Sequence, residues 1–420
     1  MGLVDKYFVR NGKFWIDGLG LEGLLAKQPT PCYAYSAGVI RQKYEALKQH
    51  LPGFDVFYSF KANPNLAIAK MMLSLGAGAD VSSLGEIKAA YKVGYKPENM
   101  VLVGPAKTEE ELRYAMGNGV AAVIAESPYE VSLIDRLAAR LNKSARVMLR
   151  INTLEQPAAP EIMVGGPSKF GIDEELVVEA IRALELKHAK LVGIHTYAAS
   201  QVLDAGIIGQ HLTYVADLAL KLAREIGFEL QCVDFGGGFG VPYADEAELD
   251  LTKVAAAAAE ARARVLGAHP GCRLVFEVGR YLVAESGIFL TRVTRIKSSR
   301  GRTFIMTDAG MNHFSRPVLM RVNHPVRLLN RIAEPPAGVF DIGGPICTPL
   351  DTSGTAVPLP APELGDVVGF FVAGAYGYSM SMVNFMSLGW PAEVLVDAGK
   401  ASLVRKPHPA EDCFEDQPLR

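Results

Sequence analysis

The chain has 420 residues, 49% of them hydrophobic and 21% charged, so it has ample apolar surface for a large core and is not an intrinsically disordered protein. The 43 Lys and Arg residues oppose 45 Asp and Glu, giving a net charge of −2 without the basic stripe of a nucleic-acid-binding protein. Five scattered cysteines without a CxxC pair favour reduced thiols over disulfides or a metal site. Because the N-terminus also lacks the apolar core of a signal peptide, we expect a cytoplasmic protein.

From about residue 32, short apolar runs alternate with stretches of helical periodicity. The runs lie at residues 55–60, 79–83, 100–104, 121–126, 146–152, 191–197, 231–237 and 273–278. Eight strand–helix units of this regularity fit a closed (β/α)8 barrel better than an open, doubly wound sheet. We therefore predict an α/β protein with a TIM-like barrel over residues 30–285.

After residue 285, strand-like runs separated by turns replace the helical periodicity. This pattern predicts a second, all-β domain over residues 286–420, and the hairpin-like pattern of residues 1–29 suggests that they join it. The 26 uncharged residues between Asp366 and Glu393 are long enough to span a membrane. Glycines, serines and a proline interrupt them, so we interpret them as a buried strand followed by a functional loop, and expect no membrane association.

Polar side chains follow the predicted strands, where barrel enzymes carry their reactive groups. Lys61 ends the run FYSFK, and burial there would lower its pKa and make the amine nucleophilic. Taken alone, it would more often be a lysine that extends to the barrel mouth. The segment FGGGFG, residues 235–240, would let backbone N–H groups approach a phosphate, although a tight strand–helix turn explains it equally well.

Two further motifs suggest a phosphate-bearing, planar cofactor. In FEVGR, Glu277 could hold a proton on a ring nitrogen and Arg280 could clamp phosphate oxygens, although the pair could also be a salt bridge. In HTYAASQ, Tyr197 could pack against a planar ring and Ser200 could donate to its phosphate. His195, taken alone, would more often be structural.

Taken together, these motifs resemble the fold-type III pyridoxal-phosphate decarboxylases, the diaminopimelate, ornithine and arginine decarboxylase family. The resemblance covers residues 30 to 400 and implies an alanine racemase-like barrel with a C-terminal β domain, pyridoxal 5′-phosphate as cofactor, and amino acid decarboxylation. The motifs that carry it, in chain order, are YSFKANPN, GADVSSLGEI, SKFGI, HTYAASQ, VDFGGGFGVPY, FEVGRYLVAESG, TDAGMNHFSRP, GGPICTPLD and AGAYGYSMS.

The resemblance also implies residue roles. Lys61 would be the Schiff-base lysine, Glu277 the partner of the pyridinium nitrogen, and Asp80 a support for the ring. Cys347 would approach the substrate from a second subunit and act in protonation, so a homodimer is implied. The remaining cofactor-binding positions would be His195 and Tyr197 at the ring, and Ser200, Gly237, Gly238, Arg280 and Tyr376 at the phosphate.

Three departures from the family pattern concern the ring and the substrate. Tyr197 stands where the family has a histidine stacked on the pyridine ring. Thr348 stands where diaminopimelate decarboxylases have a glutamate that binds the distal amine of the substrate. Their R-P-x-x-Y keeps its arginine as Arg316, but Met320 replaces its tyrosine. Arg316, Thr348 and Tyr376 are the predicted substrate-binding residues.

These departures predict α-decarboxylation of a small amino acid, free or carrier-bound, that bears a distal carboxylate or citryl-like group. The pathway would be siderophore or other specialised-metabolite biosynthesis. The alternative is meso-diaminopimelate decarboxylation in lysine biosynthesis. An amino-acid racemase of the same fold remains a second alternative, although Cys347 argues against it. A non-catalytic regulator would normally have lost the cofactor residues that this chain keeps.

Overall fold

The computed structural model describes residues 2–419. The chain divides into two compact units. One comprises residues 44–241 and 248–281, and the other comprises the described residues up to 43, residues 242–247 and the residues from 282 onward. The domain boundaries at residues 30 and 285 stay a prediction.

The first unit is built on a closed barrel of eight parallel strands. Strand Asp55–Ser59 pairs with Gly78–Val81 on one side and with Arg273–Val278 on the other, which closes the circle. The predicted barrel is therefore confirmed, and each predicted apolar run overlaps one of its strands. The strands are Asp55–Ser59, Gly78–Val81, Met100–Leu102, Ala122–Ala125, Ala145–Asn152, Ala189–His195, Cys232–Asp234 and Arg273–Val278.

Short polar side chains start the helices that come after these strands. Ser83 and Ser127 each accept a hydrogen bond from the N–H of a glutamate three residues later, and Thr108 forms a reciprocal capping box with Glu111. Each cap satisfies N–H groups that the first helical turn leaves open. The helices are Leu66–Leu75, Leu84–Val93, Glu109–Asn118, Pro128–Arg140, Glu174–Arg182, Ala205–Ile226, Leu251–Ala268 and the short Arg280–Val283.

Apolar side chains fill the inside of the barrel. Phe57, Ile124, Met148, Val192 and Val275 belong to one buried cluster, and each comes from a different strand. Burying a side chain of this size stabilises the fold by roughly 1.5–3 kcal/mol. Because the barrel is packed rather than hollow, its polar groups are confined to the strand ends.

The second unit contains the predicted β-sheet domain, and the sheet is predominantly antiparallel. The long strand Gly287–Ser299 pairs with Arg302–Thr307, Val367–Phe371 and Cys32–Ser36. The other strands are Gly338–Gly343, Thr352–Leu359, Val326–Leu328, Ala392–Asp397 and Lys400–Arg405, beside a small sheet of Val9–Arg10, Lys13–Ile16 and Leu19–Gly20. Helices that the sequence analysis did not anticipate are Leu3–Phe8, Leu21–Lys27, Ala37–His50 and Arg316–Met320.

The long uncharged stretch contains the buried strand Val367–Phe371, followed by turns and a short 3-10 segment, Phe385–Ser387. Within residues 2–419, no helix has the length and apolar character needed to cross a membrane. All five cysteines are free thiols.

Candidate functional site

Lys61 and Asp80 form an ion pair at the ends of two adjacent barrel strands. Lys61 lies in the single turn Phe60–Ala62, and its Nζ donates a hydrogen bond of 2.6 Å to Oδ2 of Asp80. Burial, and next the charge of Glu277, raise the pKa of Asp80, while Lys61 opposes them. The sequence predicted a desolvated lysine, but its side chain is 37% exposed and paired with Asp80.

Glu277 and His195 lie together at the ends of two further strands, and both are fully buried. His195 Nε2 is 3.2 Å from Glu277 Oε2. Burial disfavours the carboxylate of Glu277, but the charge and hydrogen bond of His195, together with Lys61, outweigh it and lower its pKa to about 2. The other oxygen, Oε1, is buried without a hydrogen-bond partner among residues 2–419, which leaves an anionic acceptor available.

Asp234 is a buried site residue that the sequence analysis missed. Its Oδ1 accepts a hydrogen bond of 2.9 Å from the N–H of Gly236. One side-chain nitrogen or oxygen atom from each of Asp234, His195 and Glu277 lies within 4.8 Å of the other two. Burial, followed by the charge of Glu277, raises the pKa of Asp234 well above its usual value, so Glu277 is the anionic member of this carboxyl pair. An acid two residues before the glycine triplet was the available signal.

The glycine turn packs tightly against neighbouring backbone. Gly238 has a φ of +87°, and a Cβ at Gly237 would lie 1.8 Å from the carbonyl oxygen of Glu277. Only glycine fits there, so packing alone explains the triplet. His211, which the sequence analysis also missed, holds the turn from the helix Ala205–Ile226 through a contact of 3.0 Å between Nε2 and the carbonyl of Phe235.

Arg280, Ser200 and Tyr197 lie around this turn. Arg280 is 7% exposed, and its Nη2 donates a hydrogen bond of 3.1 Å to Ser200 Oγ. The Tyr197 ring lies beside the turn, since its Cε2 would be 3.5 Å from a Cβ atom placed on Gly237. The ring centroid of Tyr197 is 5.8 Å from Lys61 Nζ. A primary amine, a flat aromatic face and a buried guanidinium are thus collected in one unit.

These groups fit a planar, phosphate-bearing carbonyl compound with a ring nitrogen. The amine of Lys61 can attach to the carbonyl, and the buried Oε1 of Glu277 can accept from a protonated ring nitrogen. Arg280 and Ser200 offer a cation and a hydroxyl to the phosphate. The structure therefore brings together nine predicted residues of the barrel unit: Lys61, Asp80, His195, Tyr197, Ser200, Gly237, Gly238, Glu277 and Arg280.

Arg316 and Tyr376 come together in the other unit. Arg316 starts the helix Arg316–Met320 and is only 3% exposed. Its guanidinium carbon lies 5.1 Å from the ring centroid of Tyr243 and 5.7 Å from that of Tyr376. Tyr243 was not predicted from the sequence. A guanidinium flanked by two aromatic rings is a buried, planar cation suited to a carboxylate.

Cys347 and Thr348 lie in a loop of the same unit. Cys347 is exposed, and its Sγ is 3.5 Å from the Sδ of Met386. Asp351 fixes the loop, because its Oδ2 accepts from the N–H of Ile346 at 2.8 Å. Thr348 contributes a neutral hydroxyl directly after the thiol, so no charge stands at that position.

Comparisons with known proteins agree with this arrangement. The model of the pyridoxal-dependent decarboxylase family, pyridoxal binding domain, matches residues 37–284. The chain is 33% identical over 416 residues to the L-glutamyl-[BtrI acyl-carrier protein] decarboxylase of Niallia circulans, covering 96% of this chain and 97% of that one. It is also 33% identical over 404 residues to the diaminopimelate decarboxylase of Aquifex aeolicus, covering 94% of each.

A solved structure is similar as well. The crystal structure of diaminopimelate decarboxylase from Helicobacter pylori, complexed with L-lysine, superposes with a TM-score of 0.86. The identity is 32%, and the match covers 94% of this chain and 98% of that one. The likeness therefore extends over both units of the chain, not over the barrel alone.

Proposed function

Because the chain belongs to the pyridoxal-dependent decarboxylase family, we propose that it α-decarboxylates a small amino acid bearing a distal carboxylate or acyl group. Family membership makes the chain a carboxy-lyase that uses pyridoxal phosphate. When bound, this cofactor supplies an electron sink for the carbanion that departing CO2 leaves at Cα. The chain's own residues hold the cofactor, deliver a proton and select the substrate.

The barrel residues divide the task of holding the cofactor. Lys61 would anchor the cofactor covalently through Nζ, and Tyr197 would cover one face of its ring. Glu277, whose pKa is lowered to about 2, would stay anionic and hold a proton on the ring nitrogen. Arg280 and Ser200, with N–H groups of the turn at Gly237 and Gly238, would bind the phosphate.

Proton delivery would fall to Cys347. Decarboxylation leaves Cα one proton short, and a thiol can carry that proton to carbon. The exposure of Cys347 supports this role, since an exposed thiol can reach a substrate bound elsewhere. Its contact with Met386 would orient the Sγ–H bond.

The buried guanidinium of Arg316 carries the substrate proposal. It is 3% exposed and lies between two aromatic rings, and its planar set of N–H donors matches a substrate carboxylate or carbonyl oxygen, which would bind there. Thr348 offers no negative charge to a distal ammonium. The Niallia circulans relative, which acts on a glutamyl carrier protein, supports a distal acyl group in particular. Since α-decarboxylation needs a free α-carboxylate, a carrier would have to be joined through the distal carboxyl group.

Diaminopimelate is the competing substrate, since several similar proteins act on it. Its distal end carries an ammonium beside the carboxylate, and that ammonium would be buried opposite Thr348 without an acidic partner from this position. CO2 release from purified enzyme should therefore be faster with glutamate-like or citryl-like acids than with meso-diaminopimelate, lysine, ornithine or arginine.

The matched variants are Arg316→Met and Arg321→Met, since Arg321 is exposed at the end of the same short helix. Losing a charged hydrogen bond costs about 1.5–3 kcal/mol, so Arg316→Met should raise KM for the acidic substrate about 10- to 100-fold. Arg321→Met should leave KM unchanged. Efficient turnover of diaminopimelate with the other acids ignored, or an unchanged kcat/KM in Arg316→Met, would contradict the proposal.

We also propose a homodimer. Apolar side chains near Cys347 and along the 380s are exposed, including Leu350 at 62%, Phe385 at 42% and Met386 at 40%. A group of exposed apolar side chains is typical of a protein–protein interface. A second copy of the chain would cover them and could bring Cys347 to the partner's barrel site.

A further inference from the structure

The loop after the fifth barrel strand inserts a carboxylate beside the guanidinium assigned to the cofactor phosphate. Within this loop, the short strand Glu161–Ile162 pairs antiparallel with Ala199–Ser200. The pairing directs Glu161 to Arg280, where its Oε2 lies 3.4 Å from Nη2. The same Nη2 donates to Ser200 Oγ at 3.1 Å. One nitrogen of Arg280 is thus shared between a hydroxyl and a carboxylate.

This arrangement conflicts with a bound phosphate. A phosphate monoester carries about −1.5 to −2 charges near pH 7. Glu161 and the phosphate would compete for one cation, and their like charges would repel each other at contact distance. Glu161 is 35% exposed, so its carboxylate can turn to solvent at little cost, whereas Arg280 is 7% exposed and remains in place.

The loop is fastened at its far end, and its centre is held by backbone pairing with residues 199–200 and by a hydrogen bond of 2.9 Å from the N–H of Met163 to the carbonyl of Ala198. The Asn152 side chain accepts from the N–H of Gly165 at 3.0 Å and donates to the carbonyl of Gly166 at 3.0 Å, and Gly171 N–H donates to Glu126 at 2.7 Å. Between the barrel strand and these contacts, Leu154 is 61% exposed and Ile162 is 42% exposed. Motion of the centre would therefore expose little additional apolar surface.

We propose that Glu161 is a phosphate-responsive latch on the cofactor site, an inference that rests on the proposed role of Arg280. Without phosphate, the carboxylate holds Arg280 and keeps the Glu161–Ile162 strand on Ala199–Ser200. A phosphate oxygen then replaces the carboxylate as acceptor at Nη2, and the loop centre is released. No covalent bond changes in this exchange.

The test compares full-length, cofactor-stripped wild type with Glu161→Gln and with Glu155→Gln. The latter removes the same charge from an exposed position in the same loop. Absorbance titration would give the affinities for pyridoxal phosphate and for pyridoxal, which lacks the phosphate. Inorganic phosphate would be titrated as well, and hydrogen exchange of residues 154–164 would be followed with and without it.

Glu161→Gln should bind pyridoxal phosphate and inorganic phosphate about two- to fivefold more tightly, the range expected for removing one partly exposed ion pair. Its affinity for pyridoxal should not change, and Glu155→Gln should match wild type throughout. Phosphate should speed exchange of residues 154–164 in wild type. In Glu161→Gln that exchange should already be fast.

Weaker or unchanged binding of pyridoxal phosphate by Glu161→Gln would overturn the latch, as would an equal gain for pyridoxal. A hydrogen-exchange rate of residues 154–164 that is the same with and without phosphate would also refute the latch. Arg280→Met separates this failure from a failure of the site assignment. If Arg280→Met keeps full affinity for phosphate, then the proposed phosphate site is wrong; if it loses affinity while Glu161→Gln behaves as wild type, only the latch is wrong.

Discussion

The Nζ of Lys61 lies 2.6 Å from the Oδ2 of Asp80, and Asp80 is fully buried whereas Lys61 is 37% exposed. The carboxylate thus holds the amine at the barrel mouth as a hydrogen-bond donor. Attaching a carbonyl group there requires the amine to lose a proton, and Asp80, whose pKa is raised by burial, is the adjacent group able to accept it.

Borohydride reduction of the purified protein with its cofactor should fix the cofactor irreversibly on Lys61, because this amine lies 5.8 Å from the Tyr197 ring and its charge acts on Glu277. Peptide mapping by mass spectrometry would locate the label. Lys61→Ala should lose both the label and visible absorbance, whereas the exposed Lys92→Ala should keep both. A label on another lysine would refute the assignment.

Replacing Glu277 by Gln should lower kcat/KM about 10- to 100-fold, since a hydrogen bond to a charged group contributes about 1.5–3 kcal/mol. The phosphate contacts remain, so cofactor affinity should fall much less than activity. Glu277→Asp keeps the charge and should recover part of the rate. Steady-state kinetics and cofactor titration check these outcomes; equal activity of Glu277→Gln and wild type would exclude a role for this carboxylate at the ring nitrogen.

Mixing Lys61→Ala with Cys347→Ala should restore activity if the two residues meet across a dimer interface. Random pairing in a twofold dimer gives up to roughly a quarter of wild-type activity. The mixture would be assayed after subunit exchange, which differently tagged chains can verify. Exchange without any recovery would place both residues in the site of a single subunit.

His211 should make the protein less stable as the pH falls from 6.5 towards 4. Burial lowers the pKa of His211 to about 4 from an unfolded value of 6.5, so between these values only the unfolded chain binds the extra proton, and the free energy of unfolding rises with pH. The effect is at most about 3 kcal/mol. Urea denaturation at several pH values should show that the free energy of unfolding falls less on acidification in His211→Gln than in wild type.

Glu86 supplies a control of opposite sign. Burial raises its pKa to about 7, although a hydrogen bond from the N–H of Ser82 opposes the shift, so between pH 4.5 and 7 the folded state holds the extra proton and stability falls as pH rises. In Glu86→Gln, which lacks this carboxyl group, the free energy of unfolding should therefore fall more steeply on acidification than in wild type. If the free energy of unfolding depends on pH in both variants as it does in wild type, then neither group controls stability at acidic pH.

The barrel was predictable from the sequence because buried parallel strands are continuous apolar runs, and the helices between them carry a distinct periodicity. Lys61, Glu277 and Arg280 were identified because they lie at the end of such runs or within two residues of it. Parallel strands end at one face, so strand-end residues converge whatever their distance along the chain.

Residues that act through tertiary packing could not be identified in this way. His211 lies in a helix and reaches the glycine turn only through folding. Glu161 lies in a loop, and its two-residue strand is too short to show the alternation of apolar and polar residues that identifies a strand. Tyr243 belongs to a six-residue segment between barrel elements, which predicts nothing about a contact with Arg316.

The chain enters the β unit three times: up to residue 43, over residues 242–247 and from residue 282 onward. A gene fragment beginning at residue 282 would lack the strand Cys32–Ser36, which lies between Gly287–Ser299 and Ala392–Asp397, and would also lack Tyr243. This unit is therefore not encoded by one continuous stretch of the gene, and a single recombination event cannot exchange it between relatives. Transplanting a substrate pocket onto this barrel would require three coordinated grafts, and the six-residue graft would have to accompany the other two.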